Sequence, residues 1–177
     1  MAERVAFSGD NQSISHIALH HSDLENALRA YFSLTSDQIS GRFLGYSKSD
    51  LTIELQERLY EIGLSSSMAV LAAVEASFRI DYLQRCQQRR KDPISRTFRE
   101  IYALKQTHAS LEEDIFGAWT DSFDGAKLII GELRGAFKFR HWLAHGRYWK
   151  PKLGRRYDFD DIYTIAEIAL KQFDLLV

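Results

Sequence analysis

Residues 68–90, MAVLAAVEASFRIDYLQRCQQRR, place Val70, Leu71, Val74, Phe78 and Leu83 at the spacing of one helix face. The apolar side chains thin into Arg85, Arg89, Arg90 and Lys91 before Pro93, the pattern of a solvated helix end. Upstream, the serines at 65–67 read as the start of this helix, and a separate helix precedes it. That one is LTIELQERLYEI (51–62), capped by Ser49 or Asp50, with Leu51, Leu55, Leu59 and Ile62 on one side and Gly63 as its stop. Residues 23–32 predict a short helix, and the polar, Ser/Asn/His-rich residues 1–22 predict an arm outside the core. Downstream, residues 94–108 and 111–123 read as two helical pieces. The second opens on Glu112, Glu113 and Asp114, which suits a helix N-terminus. Residues 125–145, GAKLIIGELRGAFKFRHWLAH, form another long helix, followed by a basic, aromatic loop to Tyr157. Asp158, Asp160 and Asp161 then open a closing helix with Ile162, Ile165, Ala166, Ala169 and Phe173 along one face. The only prolines, Pro93 and Pro151, fall between these segments, and no alternating strand pattern flanks a turn. The expectation is an all-α, single-domain bundle of about five to seven helices: a polar arm over 1–22, then a helical domain over 23–177.

Composition narrows the function classes. The 177 residues are 45% hydrophobic and 27% charged, ordinary globular usage that argues against disorder or a coiled-coil rod. Lys plus Arg number 23 against 24 Asp plus Glu, so any anion binding must come from a local patch rather than bulk charge. The single cysteine, Cys86, permits no internal disulfide and reads as an inert helix residue. No apolar run looks long enough to span a bilayer, and the first residues lack a basic-then-apolar export pattern. The cytosol is the expected compartment, with no membrane partner.

Residues 134–149, RGAFKFRHWLAHGRYW, hold three arginines, two histidines and five aromatic residues. On a helix, Arg140 falls in the middle of a stripe made by Ala126, Ile129, Leu133, Ala136, Phe137, Leu143 and Ala144. A guanidinium there needs an anion or a carboxylate. A buried Arg–Glu pair joining two helices would meet that need, and so would a ligand. His145 stands five residues on, about 140° around a regular helix, too far to share one ligand. Two routes bring the pair together: a left-handed exit at Gly146, or a cleft between two copies of the chain. Beside them lie Arg147, Lys150, Lys152, Arg155 and Arg156, interleaved with Tyr148, Trp149 and Tyr157. Cations with stacking surfaces suit single-stranded RNA. A histidine can remove the ribose 2′-hydroxyl proton, and an arginine can hold the phosphate as charge builds on it. That pair suffices for cleavage to a 2′,3′-cyclic phosphate and a 5′-hydroxyl without metal.

Arg140-His141-Trp142-Leu143-Ala144-His145 resembles the Arg-polar-x3-His signature of the HEPN superfamily, and the following Gly146-Arg147-Tyr148-Trp149 is similar to prokaryotic members of the RiboL-PSP kind. The resemblance spans roughly residues 20–177 in helix order, with the signature closing the penultimate long helix. It implies an endoribonuclease of the toxin or defence type, catalysed by Arg140 and His145 in a cleft shared by a homodimer, with RNA as substrate and an antitoxin or other regulatory protein as a further partner. The alternative it carries is a non-catalytic domain that binds RNA or a protein. His141 occupies a position where many members carry Asn or Asp, and is expected to support His145. Glu75, an acid amid apolar neighbours, is expected either to orient His145 or Arg140 or to form a plain salt bridge with Arg79. No cofactor is expected. His141 and His145 stand at i, i+4, as do His16 and His20, yet zinc usually needs three or four ligands and no acid lies between residues 133 and 157, so no metal is expected either.

Overall fold

The computed structural model describes residues 6–33 and 41–176, and every regular element among them is helical. Six α-helices follow in order: α1 (Ile14–Tyr31), α2 (Lys48–Gln88), α3 (Pro93–Lys105), α4 (Phe116–Thr120), α5 (Ala126–Ala144) and α6 (Phe159–Gln172). A 3₁₀ turn, Gln106–His108, and a single π-turn, Leu111–Ile115, lie between α3 and α4. α2 is the spine, at about 60 Å by its rise per residue, and α1, α3, α5 and α6 all pack against it. The core is continuous around Val70, Leu71, Val74 and Phe78 of α2, which meet Phe116, Leu133, Ala136, Ile162 and Ala166. A smaller cluster of Phe32, Phe43 and Leu51 closes the far end of α1 and α2.

Two boundaries differ from the sequence expectation. The separate helices expected over 51–62 and 65–90 are one. Gly63 does not stop the helix: α2 runs on through it, with the Phe159 side chain beside it, and Ser67 donates back to the Gly63 carbonyl at 2.7 Å instead of capping a new start. The cap is Ser47, which exchanges hydrogen bonds with Asp50 in a capping box and holds the Asp50 carboxyl below its usual range. α2 also contains an 18-residue window apolar enough by length and composition to cross a membrane, although no such run stood out in the sequence; 44% of that window is buried in the bundle.

The second correction concerns the arm. Its first five residues lie outside the described residues, and residues 14–22 are not an arm: α1 starts at Ile14 under a Ser13 cap. Ile17 and His21 are buried. The polar composition misleads because His21 is satisfied inside: its Nδ1 shares a 3.0 Å hydrogen bond with Ser66 Oγ, and its ring stacks on Phe159 at 3.7 Å. His16 and His20 are exposed on the same helix.

The basic end of α2 is not wholly solvated either. Arg85 is buried and donates to Asp81 at 2.7 Å, to Asp92 at 3.2 Å and to the Asp174 carbonyl. Asp92 is also the cap of α3, and Leu176 N–H donates to Asp81 at 2.9 Å, so one guanidinium–carboxylate pair ties α2, α3 and the C-terminal residues together. Burial pushes the Asp81 carboxyl up, against the pull of Leu176 and Arg85. Burial likewise pushes the Cys86 thiol up to about 11, which leaves almost no thiolate at neutral pH.

Removing one partner of a buried pair strands the other charge. Asp81→Ala is therefore expected to cost on the order of 3 kcal/mol in urea unfolding. Glu167→Ala, which breaks the exposed Lys171–Glu167 pair, should cost less than about 1 kcal/mol. Equal losses would mean that the Arg85 cluster does not anchor the fold.

Candidate functional site

α5 buries Ala126, Ile130, Leu133, Ala136, Phe137 and Phe139. Arg140 continues this face one turn beyond Ala136, where the stripe runs out towards solvent, and its side chain is 35% exposed. Its Nη2 meets Glu75 Oε2 at 3.2 Å, its Cζ lies 6.0 Å from the Phe137 ring centroid, and its Nε is buried with no hydrogen-bond partner among the described residues. The other oxygen of Glu75 accepts from Arg79 Nε at 2.8 Å. Glu75 thus serves both candidates at once: a salt bridge along α2 and a bridge from α2 to α5.

The helix ends in a left-handed exit. Gly146 has φ 78°, its N–H donates to the Leu143 carbonyl at 3.2 Å, and the Arg147 N–H donates to the Trp142 carbonyl at 3.1 Å. This is the paired Schellman pattern that satisfies the last carbonyls of a helix, and glycine adopts it without steric cost. Arg147 follows at φ 59°, also left-handed, with its guanidinium 2.8 Å from Glu61 of α2. The exit leaves His145 exposed at the tip. Its ring centroid lies 4.3 Å from that of His141 and 6.4 Å from that of Trp149. No hydrogen bond, ion pair or ring contact among the described residues joins Arg140 to His145. The arginine turns to Glu75 and Phe137, the histidine to His141 and Trp149.

The loop after the exit is folded back on α5. Trp142 Nε1 donates to the Trp149 carbonyl at 2.8 Å, and Phe139 stacks on Trp142 at 5.9 Å and on Tyr157 at 5.5 Å. These rings are structural. Tyr148, 83% exposed, and the half-buried Trp149 are the rings left to meet a ligand. The expected cations divide in the same way. Arg147 is held by Glu61, and Arg155 by Glu132, Asp161 and the face of Tyr157. Lys150, Lys152 and Arg156 are exposed and form no ion pair among the described residues.

Two concavities flank the loop. One, of about 820 Å³, lies between Tyr60, Trp142 and residues 151–157. The other, of about 410 Å³, is lined by Glu112, Lys138, His141, Trp149 and Lys152 over Phe137. Lys138 and Glu112 were not among the sequence candidates. Lys138 lies three residues before His141, on the same helix face, and that spacing could have revealed it. Glu112 comes from the π-turn, drawn against α5 by Arg134, whose Nη2 donates to the Glu112 carbonyl at 3.0 Å. Among the described residues, no three or more His, Cys, Asp or Glu side chains gather as metal ligands.

The chain matches no family model, no curated protein and no solved structure.

The loop's seat on α5 depends on Gly135, where a Cβ would overlap the Tyr157 hydroxyl oxygen. Tyr157 is held between Phe139 and Arg155 and cannot give way freely. Gly135→Ala is expected to destabilise by about 1 kcal/mol by overpacking. In a Tyr157→Phe background the same change should instead stabilise, as alanine for glycine within a helix ordinarily does. Thermal melts of the four proteins check this, and a stabilising Gly135→Ala in the wild type would contradict the contact.

Proposed function

We propose that this protein is a metal-independent endoribonuclease of the toxin or defence type, the activity its HEPN-like signature implies. The observation that carries the reading is His145. It is an imidazole exposed at a helix tip, backed by His141 and faced by Trp149, with unpaired lysines alongside. His145 takes the 2′-hydroxyl proton, the O2′–P bond forms as P–O5′ breaks, and the imidazolium returns the proton to O5′. Arg140 offers a planar fork to the phosphate.

Because no hydrogen bond, ion pair or ring contact among the described residues joins Arg140 to His145 within one chain, the reading places the arginine of one copy against the histidine of another in a two-fold dimer. Substrate phosphate then competes with Glu75 for the guanidinium. The grip of Glu75 on Arg140 also favours a second reading, a HEPN-like domain that binds RNA or a partner protein without cutting it.

His145→Ala is expected to abolish cutting of single-stranded RNA in EDTA while leaving the melting curve unchanged. Undiminished cutting would remove the catalytic assignment. Arg140→Lys keeps the charge but loses the fork, so rate should fall by 10²-fold or more, on the order of one lost charge-stabilising donor, with RNA affinity little changed. Mixing the inactive Arg140→Ala and His145→Ala proteins and allowing subunits to exchange should restore part of the activity, since half of each mixed dimer's clefts are intact. A mixture as inactive as its components would exclude a shared cleft.

A further inference from the structure

The 410 Å³ concavity beside His141 has a composition that the cutting step alone does not require. Its volume lies within the range of small-ligand pockets, roughly 300–1,000 Å³. Lys138 and Lys152 stand at its rim without ion pairs among the described residues, and Trp149 offers a ring face. The half-buried Glu112 carboxylate forms no ion pair or side-chain hydrogen bond among the described residues, because the contact with Arg134 uses the Glu112 backbone carbonyl. A carboxylate with no protein donor in a basic concavity is open to donors from a ligand.

An ionised carboxylate only accepts hydrogen bonds, and its two oxygens suit two adjacent donors. Among the four RNA bases, guanine alone offers two neighbouring donors on its Watson–Crick edge, N1–H and N2–H₂. Adenine and cytosine place a ring-nitrogen acceptor beside their amino group, and uracil sets its single N–H between two carbonyls. Each of those three would turn a lone pair towards the carboxylate. We propose that this concavity is a guanosine subsite: Glu112 reads the guanine edge, Trp149 stacks on the base, and Lys138 and Lys152 take the 3′-phosphate. With His141 in its wall and His145 4.3 Å beyond, the linkage presented for cutting is the one on the 3′ side of guanosine. The cutting direction rests on the nuclease reading above; the base preference does not.

The test is a calorimetric titration of the full chain in EDTA with 3′-GMP, 3′-AMP, 3′-CMP and 3′-UMP, for the wild type and Glu112→Gln. Glutamine keeps the shape of the side chain and replaces one acceptor with a donor. The wild type should bind 3′-GMP about tenfold more tightly than the others, in line with one bidentate base contact. Glu112→Gln should bring 3′-GMP level with the other three. Equal affinities in the wild type, or a preference that survives Glu112→Gln, would overturn the proposal. Guanosine-selective binding by a protein that leaves RNA whole would uphold the subsite and refute only the nuclease. Cutting without any guanosine preference would do the reverse.

Discussion

The left-handed turn at Gly146 is the constraint on which the site depends. By accepting φ 78° there, the chain satisfies the carbonyls of Trp142 and Leu143 and stops α5 one residue short of His145. A regular continuation would leave His145 one turn above His141, where its N–H already bonds the His141 carbonyl, but would project the basic loop away from the bundle. The turn instead sends the loop back over Trp142, whose indole N–H fixes the Trp149 carbonyl. His141, His145 and Trp149 then share one surface, and the concavity holding Glu112, Lys138 and Lys152 lies beneath it.

α2 supplies the electrostatic frame for that surface. Glu75 receives Arg140 and Arg79, Glu61 receives Arg147, and Asp81 receives Arg85. The partners of Arg140 and Arg147 are separated by about 20 Å along the helix, so these two guanidiniums are drawn apart rather than gathered at one phosphate. Several of the cations that make the 134–156 stretch look like an RNA patch are therefore part of the scaffold. Lys138, Lys150, Lys152 and Arg156 form no ion pair among the described residues, and Arg134 meets only the Glu112 backbone carbonyl. A nucleic acid would meet a small, local patch, as expected of a chain with a net charge of −1.

Much of this architecture was legible where backbone chemistry is local. Gly125 and Gly146 bracket α5, Asp158 caps α6, and the apolar periodicity gives each its buried face. The failures occur where tertiary contacts override local signals. Gly63 and Ser67 resemble breakers but are absorbed into α2, where the Ser67 hydroxyl bonds the Gly63 carbonyl, and His21 resembles a solvent residue until Ser66 and Phe159 enclose it. At the site, the spacing of Arg140, His141 and His145 was readable, as was the pull of a carboxylate on Arg140. The choice between Arg79 and Arg140 as the partner of Glu75 was not, because the geometry allows both. Glu112 was invisible, since only the fold of the π-turn brings it to His141.

The central claim is that an imidazole at the tip of α5 directs a ribose 2′-oxygen onto its own phosphate. Mass spectrometry of the fragments left when the purified protein acts on a defined single-stranded RNA in EDTA tests this most directly. The account requires fragments ending in a 2′,3′-cyclic phosphate, followed by fragments beginning with a 5′-hydroxyl. RNA recovered whole, or fragments with 5′-phosphate and 3′-hydroxyl ends, would contradict it.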